Sequence, residues 1–264
     1  MSSSAKRALR ILEFVSDSDQ PLGVTEIARS LSLAPATVFR SLDALSRADL
    51  VSRYQSSSRY VLGAAADWLC QSLVARFRIR ELSLPYLRQL ASASGESTSL
   101  HVRLGWYSVR IASVPGMAEV TNAPPVGDTR ALGDTYAGKA ILAFLSNAEI
   151  TRYRAWAAAH GFQWSEKEGG ELRTARKNGV ALGKPEFGET GMPAAFPIRV
   201  RAAAVAALTI DGPVLNGFPD PASGPFSDWL QIVSHLESLA HTQPALFENP
   251  FAHLDPDTIV LERP

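Results

Sequence analysis

Gly133-Asp134-Thr135-Tyr136-Ala137-Gly138-Lys139-Ala140 satisfies seven of the eight positions of a phosphate-binding loop. In such a loop the backbone N–H groups and the lysine hold phosphates, and a Ser or Thr at the eighth position holds magnesium. Here that position is Ala140, which has no hydroxyl, so nucleotide hydrolysis is not expected and the segment reads as a loop entering a helix. His235-Leu236-Glu237 opens like a zinc deaminase signature, but its downstream cysteine pair cannot be built from the single Cys70. The five histidines, His101, His160, His235, His241 and His253, contain no pair at i, i+4, so no metal is expected. No Gly-x-Ser-x-Gly nucleophile elbow occurs either. No catalytic residue and no cofactor is therefore assigned, and Cys70 reads as a small packing residue.

The chain has 264 residues, 46% of them hydrophobic, with 26 basic and 26 acidic side chains. That length exceeds the roughly 100–150 residues of one typical domain, so two domains are expected. Zero net charge excludes a histone-like basic coat, yet DNA binding needs only a local basic face. A lone cysteine rules out an internal disulfide and fits a reducing cytoplasm. The first apolar run is broken by Glu13, too soon for a signal segment, and no stretch reaches the roughly 18 apolar residues of a membrane span, so no membrane partner is expected.

Local pattern is clearest in the first sixty residues. Ala8, Leu9, Ile11, Leu12 and Val15 recur at helical spacing until Asp17-Ser18-Asp19-Gln20-Pro21 breaks the run. Thr25 is the expected N-cap of a second, short helix that turns Ile27, Ala28 and Leu31 inward. Ser32-Leu33-Ala34 then leads to a third helix, with Pro35 in its first turn, where a missing N–H costs nothing. Val38, Leu42 and Leu45 share the buried face of that helix, and Ala36, Thr37, Arg40, Asp43, Ala44 and Arg47 populate the other. Small residues followed by an arginine one turn on suit entry into a major groove. Residues 50–54 and 59–62 alternate around Gln55-Ser56-Ser57-Ser58 as a β-hairpin, whose Arg53, Ser56, Ser58 and Arg59 suit phosphate and minor-groove contacts.

These segments, with others downstream, resemble the isocitrate lyase regulator (IclR) family of bacterial transcription regulators. The resemblance runs through Lys6-Arg7-Ala8-Leu9-Arg10-Ile11-Leu12, residues 22–45 and Arg59-Tyr60-Val61-Leu62-Gly63. It continues through Arg80-Glu81-Leu82 with Pro85, Leu87, Leu90 and Gly95-Glu96, and through Ala137-Gly138-Lys139-Ala140-Ile141-Leu142-Ala143. Gly179-Val180-Ala181, Pro197-Ile198 and residues 203–213 complete it. The resemblance implies an α+β chain: a winged helix-turn-helix over residues 1–63, a linker helix over 64–80, and a GAF-like effector domain over 81–243. Residues 244–264, with prolines at 244, 250, 256 and 264, read as an irregular tail. It also adds Lys6, Arg7, Thr25, Pro35, Ala36 and Ser41 to the DNA-contact set. The chain departs from the family at Pro35 and Ala36, where a basic residue and a serine are common, which moves readout toward Thr37, Phe39 and Arg40. Two readings of Phe39 stay open, contact with a thymine methyl and packing on the first helix.

In the second domain residues 97–104 alternate strictly, with Ser97, Ser99, His101 and Arg103 on one face. Further strands are expected at 106–114, 195–200 and 203–210, and helices at 136–145, 149–159, 172–177 and 226–241. For the effector site the resemblance points to Tyr136, Ala137 and Gly138, to Gly183, Met192, Pro193 and Ala194, and to Thr209 and Asp211. An ionised Asp211 repels a carboxylate unless Arg or Lys offsets it, so a ligand offering donors suits it better; the alternative makes Asp211 a turn cap before Gly212-Pro213. The expectation is a ligand-responsive regulator, a repressor of a catabolic operon, that binds a near-palindromic double-stranded operator as a homodimer or dimer of dimers and senses a small organic or aromatic metabolite. The alternative is an enzyme that uses its winged helix only for dimerisation or docking, and turnover of a candidate ligand distinguishes the two.

Overall fold

Apolar residues spaced three and four apart build a small three-helix core at the N-terminal end. The protein is described here by a computed structural model that covers residues 4–18, 20–55, 57–117, 125–162, 164, 166–184, 192–215, 224–251 and 254–259. Two units result, Met1–Ala75 and Arg76–Pro264.

In the first unit the elements run α1 (Ser4–Ser16), β1 (Leu22–Gly23), α2 (Val24–Ser30), α3 (Pro35–Arg47), β2 (Val51–Arg53), β3 (Arg59–Leu62) and α4 (Ala64–Val74). Ile11 and Val15 of α1, Ile27 and Ala28 of α2, and Val38, Leu42 and Leu45 of α3 close one core with Val51 and Tyr60 of the hairpin. Burying each such large aliphatic side chain contributes about 1.5–3 kcal/mol. Pro35 occupies the first turn of α3 as expected. The cap of α2 differs from expectation. Gly23, not Thr25, is the N-cap, and its N–H donates to Glu26 Oε2 at 2.8 Å, so the carboxylate three residues on does the capping that a hydroxyl was expected to do. Residues 22 and 23 also form a strand, pairing with Tyr60 and Arg59 to give the antiparallel order β1-β3-β2.

The helix expected over residues 64–80 is broken. It ends at Val74, and Phe77, with φ −85° and ψ 84°, is the N-cap of the next helix. A residue with that ψ cannot continue a helix. Phe77 is buried in the core of the second unit, which holds it there.

The second unit contains α5 (Arg78–Ser94), β4 (Thr98–Leu104), β5 (Tyr107–Val114), β6 (Thr129–Ala131), α6 (Tyr136–Leu142), α7 (Asn147–Ala159), α8 (Glu166–Asn178), β7 (Ala181–Leu182), β8 (Met192–Val200), β9 (Ala203–Leu215) and α9 (Gly224–Thr242). Its sheet is antiparallel with order β6-β5-β4-β9-β8-β7. Helices α5 and α9 cover one face, where Leu87, Leu90, Trp229, Val233 and Leu236 meet Leu100, Val102, Phe196, Leu208 and Ile210. On the other face lie α6, α7 and α8, packed through Ile141, Tyr153, Trp156 and Leu172. Strands with helices on both faces give the α+β, GAF-like arrangement that the resemblance implies.

The described residues after Thr242 do not form an irregular tail. Phe247 is buried in the α5/α9 core, the Phe251 ring lies 5.7 Å from that of Phe77, and Arg152 of α7 binds Asp255 and Asp257 at 2.8 and 2.6 Å. Trp106 Nε1 donates to Asp257 Oδ1 at 2.6 Å. Pro244, Pro250 and Pro256 set turns between these anchors instead of preventing order.

Candidate nucleic-acid interface and ligand site

Helix α3 turns Val38, Leu42 and Leu45 into the core, so 3.6-residue periodicity leaves Pro35, Ala36, Phe39, Arg40, Asp43, Ala44 and Arg47 exposed, with Thr37 and Ser41 half-buried. Phe39 is 50% exposed, which is incompatible with a ring packed fully against α1. Asp43 and Arg47 pair at 2.8 Å, one turn apart, whereas Arg40 has no ion-pair or hydrogen-bond partner among the described residues. Arg40 is thus the uncompensated cation in the middle of this face.

The remaining interface candidates divide. Lys6 is exposed and Arg7 half-buried on α1, and Thr25 lies exposed in the first turn of α2. In the hairpin Arg53 and Ser58 are exposed, with the Arg53 guanidinium 6.0 Å from the Tyr60 ring centroid. Ser56 lies outside the described residues. Arg59 turns back into its own unit. Its Nη1 donates to Pro21 O at 2.6 Å and to Glu26 Oε2 at 3.1 Å, and Nη2 donates to Glu26 Oε1 at 3.4 Å. The Gly23 N–H and Arg59 together hold the Glu26 carboxyl below its usual range. Arg59 therefore clamps β3 to the start of α2.

In the second unit polar residues gather on the α6 face of the sheet. Alternation along β9 puts Thr209 and Asp211 on that face, and the cross-strand partners of β4 and β5 bring Ser99, His101, Ser108 and Arg110 beside them. Asp211 lies inside β9, where its N–H donates to Ser97 O at 2.8 Å, so it is not a turn cap. Its Oδ1 accepts from Tyr136 Oη at 2.8 Å and Thr209 Oγ1 at 2.6 Å; its Oδ2 accepts from Ser99 Oγ at 2.5 Å and Arg110 Nη1 at 2.8 Å. Four bonds fill the lone-pair sites of a carboxylate. Asp211 therefore has no acceptor site left for the donor-bearing ligand that its charge alone suggested. The Arg110 and Asp211 side chains are only 4% and 5% exposed. Burial pushes the Asp211 carboxyl up, but Arg110 and the hydroxyl donors outweigh it and hold the group below its ordinary range. His101 Nδ1 lies 3.2 Å from Ser108 Oγ, and burial, reinforced by Arg110, lowers the imidazole pKa to about 4, so it is neutral at pH 7.

Helix α6 delivers Tyr136 to this network. Thr135 caps it, accepting from the Gly138 N–H at 2.9 Å. A Cβ on Gly138 would come within 2.2 Å of Leu132 O, so only glycine lets the helix start seat here beside buried Ala137. Lys139, the would-be phosphate lysine, pairs with Glu171 of α8 at 2.5 Å. Gly183 sits against both Tyr136 and Pro193: a Cβ there would meet Pro193 Cγ at 2.5 Å and Tyr136 Cδ1 at 2.8 Å. Met192 is half-buried at the start of β8. Ala194 is not part of this cluster. It pairs with Ile210 and faces the α5/α9 core, because a one-residue step in a strand reverses the side chain. Ser99, His101, Ser108 and Arg110 are the members that sequence reasoning did not assign. The signal for Arg110 was the alternation that sets Ser108 and Arg110 on one face of β5, two apart, with Val109 and Ile111 on the other.

Among the described residues no group of His, Cys, Asp or Glu could hold a metal ion. His235 is exposed, and Glu237 is bound by Arg199 at 2.7 and 2.9 Å. Among the same residues no helix is long and apolar enough to cross a membrane.

The model of the IclR helix-turn-helix domain matches residues 4–54, and that of the bacterial transcriptional regulator IclR C-terminal domain matches residues 71–216. The probable transcriptional regulator SauR of Cupriavidus necator is 28% identical over 227 residues, covering 84% of this chain and 90% of its own. The transcriptional repressor IclR of Escherichia coli is 25% identical over 228 residues, 80% of each. An IclR homologue from Microbacterium hydrocarbonoxydans, solved with 4-hydroxybenzoate, superposes with a TM-score of 0.71 at 18% identity, covering 89% of this chain and 98% of that one. The two domain matches lie on the two units in order, and on that evidence the chain belongs to the IclR family of bacterial transcriptional regulators.

Proposed function

We propose that this regulator acts as a repressor that binds a near-palindromic operator through the exposed face of α3 and releases it when a small organic or aromatic effector occupies the α6 face of the second unit. The observation that carries the DNA half is Arg40, an exposed cation without a partner among the described residues, at the centre of a groove-sized helix face. Thr37, Ser41 and Phe39 surround it, and Arg53, Ser58, Lys6 and Arg7 supply backbone contacts; Arg59, held by Glu26, is left out of that set. The effector half rests on Tyr136, Gly183, Pro193 and Thr209 surrounding one buried polar network, in a fold whose Microbacterium relative holds 4-hydroxybenzoate.

A homodimer is the working unit, or a dimer of dimers. Within the first unit α4 exposes Trp68, Leu69 and Leu73, and α1 exposes Leu9; Trp68 is 66% exposed. Burying such residues against a second copy removes apolar surface from water and sets two recognition helices at the spacing of successive major grooves. A cytoplasmic location follows from the DNA target. An effector that prefers one conformation of the unit changes operator affinity by its differential affinity for the two states.

Fluorescence anisotropy with labelled DNA from upstream of the gene, against scrambled DNA over a salt series, tests this. Selective binding is expected, and Arg40→Ala is expected to weaken it by ~1–3 kcal/mol, roughly 5–150-fold. Equal operator affinity for the two proteins removes Arg40 from the readout set.

A further inference from the structure

The α6 face of the sheet carries balanced charge and two unmet hydrogen-bonding atoms. Arg110 and Asp211 neutralise each other at 2.8 Å, and all four acceptor sites of Asp211 are filled by Tyr136, Thr209, Ser99 and Arg110. Neither Arg110 Nε nor His101 Nε2, both buried, has a hydrogen-bond partner among the described residues. The two residues sit directly across from each other on β5 and β4. A buried N–H left without an acceptor loses its hydration with nothing in return, the more so on a charged group, so Arg110 Nε–H favours whatever brings an acceptor to it. A carboxylate supplies the acceptor but also a full negative charge. Its natural counter-ion, Arg110, is already engaged, and Asp211 cannot withdraw readily because three hydroxyls fix it within β9. Lys139 of α6 is held by Glu171, and Asp128 adds a negative field felt at His101. A buried anion would then lack compensation for the hydration it gives up.

We infer that the effector is uncharged where it meets β4 and β5, and that it presents a hydrogen-bond acceptor to Arg110 Nε and a polar atom to His101 Nε2, as an amide, lactam or ester carbonyl does. This rests on the reading of the α6 face as the effector site. It sets this protein apart from a relative that holds 4-hydroxybenzoate, because Arg110, the cation that β5 places on this face, is already closed on Asp211.

The test measures binding of matched acid and amide pairs to the full-length protein by calorimetry at pH 7.5: benzoate and benzamide, 4-hydroxybenzoate and 4-hydroxybenzamide, propionate and propionamide. The amide of at least one pair is expected to bind ten-fold or more tightly than its acid. Arg110→Lys, which keeps the cation beside Asp211 but removes the Nε–H, is expected to erase that preference. His101→Phe is expected to weaken the amide independently, which covers the case in which Arg110→Lys does not fold. An acid that binds more tightly than its amide, with proton uptake showing His101 charging to meet it, overturns the uncharged class while leaving the site in place. Amide binding that neither variant alters overturns the siting on this face instead. Failure of every pair to bind at millimolar concentration also counts against the proposal, since these compounds carry the one group it requires.

Discussion

The two units differ in how deep they take an ion pair. In the first, the core of α1, α2, α3 and the hairpin is apolar, and the ion pairs Arg47–Asp43 and Arg59–Glu26 lie at the surface, each partner at least 41% exposed. In the second, an arginine and an aspartate are buried in the middle of a sheet face. Surface charges can be exchanged or bound by phosphate at little expense, which suits a helix-turn-helix unit. A buried pair tolerates no such exchange. It fixes its surroundings, and it can change only by rearranging as a set.

The largest expected effect follows from that contrast. Arg110→Ala strands the Asp211 carboxylate in the interior, and urea unfolding is expected to show a loss of about 3–5 kcal/mol, the usual cost of breaking a buried pair from one side. The double variant Arg110→Met with Asp211→Leu, which removes both charges and keeps volume, is expected to be more stable than Arg110→Ala alone. Arg47→Ala, which breaks the exposed pair on α3, is expected to cost no more than about 1 kcal/mol. Equal losses for Arg110→Ala and Arg47→Ala would erase the distinction between the units.

His101 sharpens the comparison on the pH axis. Its pKa in the folded protein is about 4 against 6.5 in the unfolded chain, so as pH falls the unfolded state takes up the proton first. The stability it contributes is complete above about 6.5 and is lost as the pH drops toward 4, a loss on the order of 3 kcal/mol. Asp211, held below the usual carboxylate range, adds its own loss only at lower pH still. Thermal midpoints measured from pH 7 to 4.5 are expected to fall in the parent and to flatten in His101→Gln. An equally steep fall in the variant assigns the loss to other groups.

Legibility in the sequence followed the range of the interactions. The helix-turn-helix could be read because its determinants are local: a repeat of three and four residues, a proline in the first turn of α3, and alternation in the hairpin. The errors there were also local. Thr25 looked like the better cap because hydroxyls are preferred, but Glu26, three residues after Gly23, reaches back to it. The phenylalanines at 247 and 251 signalled that the last segment docks, and its prolines obscured them. Alternation exposed the polar face of β4 and the shared face of Thr209 and Asp211, and the same rule applied to β8 separates Ala194 from its neighbour Ala195. What alternation cannot supply is partners. Asp211 is bound by residues 75, 101 and 112 positions away, from α6, β5 and β4, so its role as the hub of a closed network exists only in the folded sheet.

The smallest expected effect concerns Arg59, where the rule for the first unit meets its exception. An exposed arginine in a wing is an obvious phosphate contact, yet this one is committed to Glu26 and Pro21 O, whereas Arg53 in the same hairpin forms no ion pair among the described residues. Each phosphate neutralised on binding releases counter-ions and contributes about 0.9 to the slope of log affinity against log salt. Arg53→Ala is therefore expected to lower that slope by about 0.9, and Arg59→Ala to leave it unchanged while slightly lowering the thermal midpoint. Glu26→Ala separates the two roles: freeing Arg59 from its carboxylate is expected to steepen the slope, because the released guanidinium can then reach a phosphate. If Arg59→Ala lowers the slope as much as Arg53→Ala does, the clamp opens on DNA, and the two arginines of the wing act alike after all.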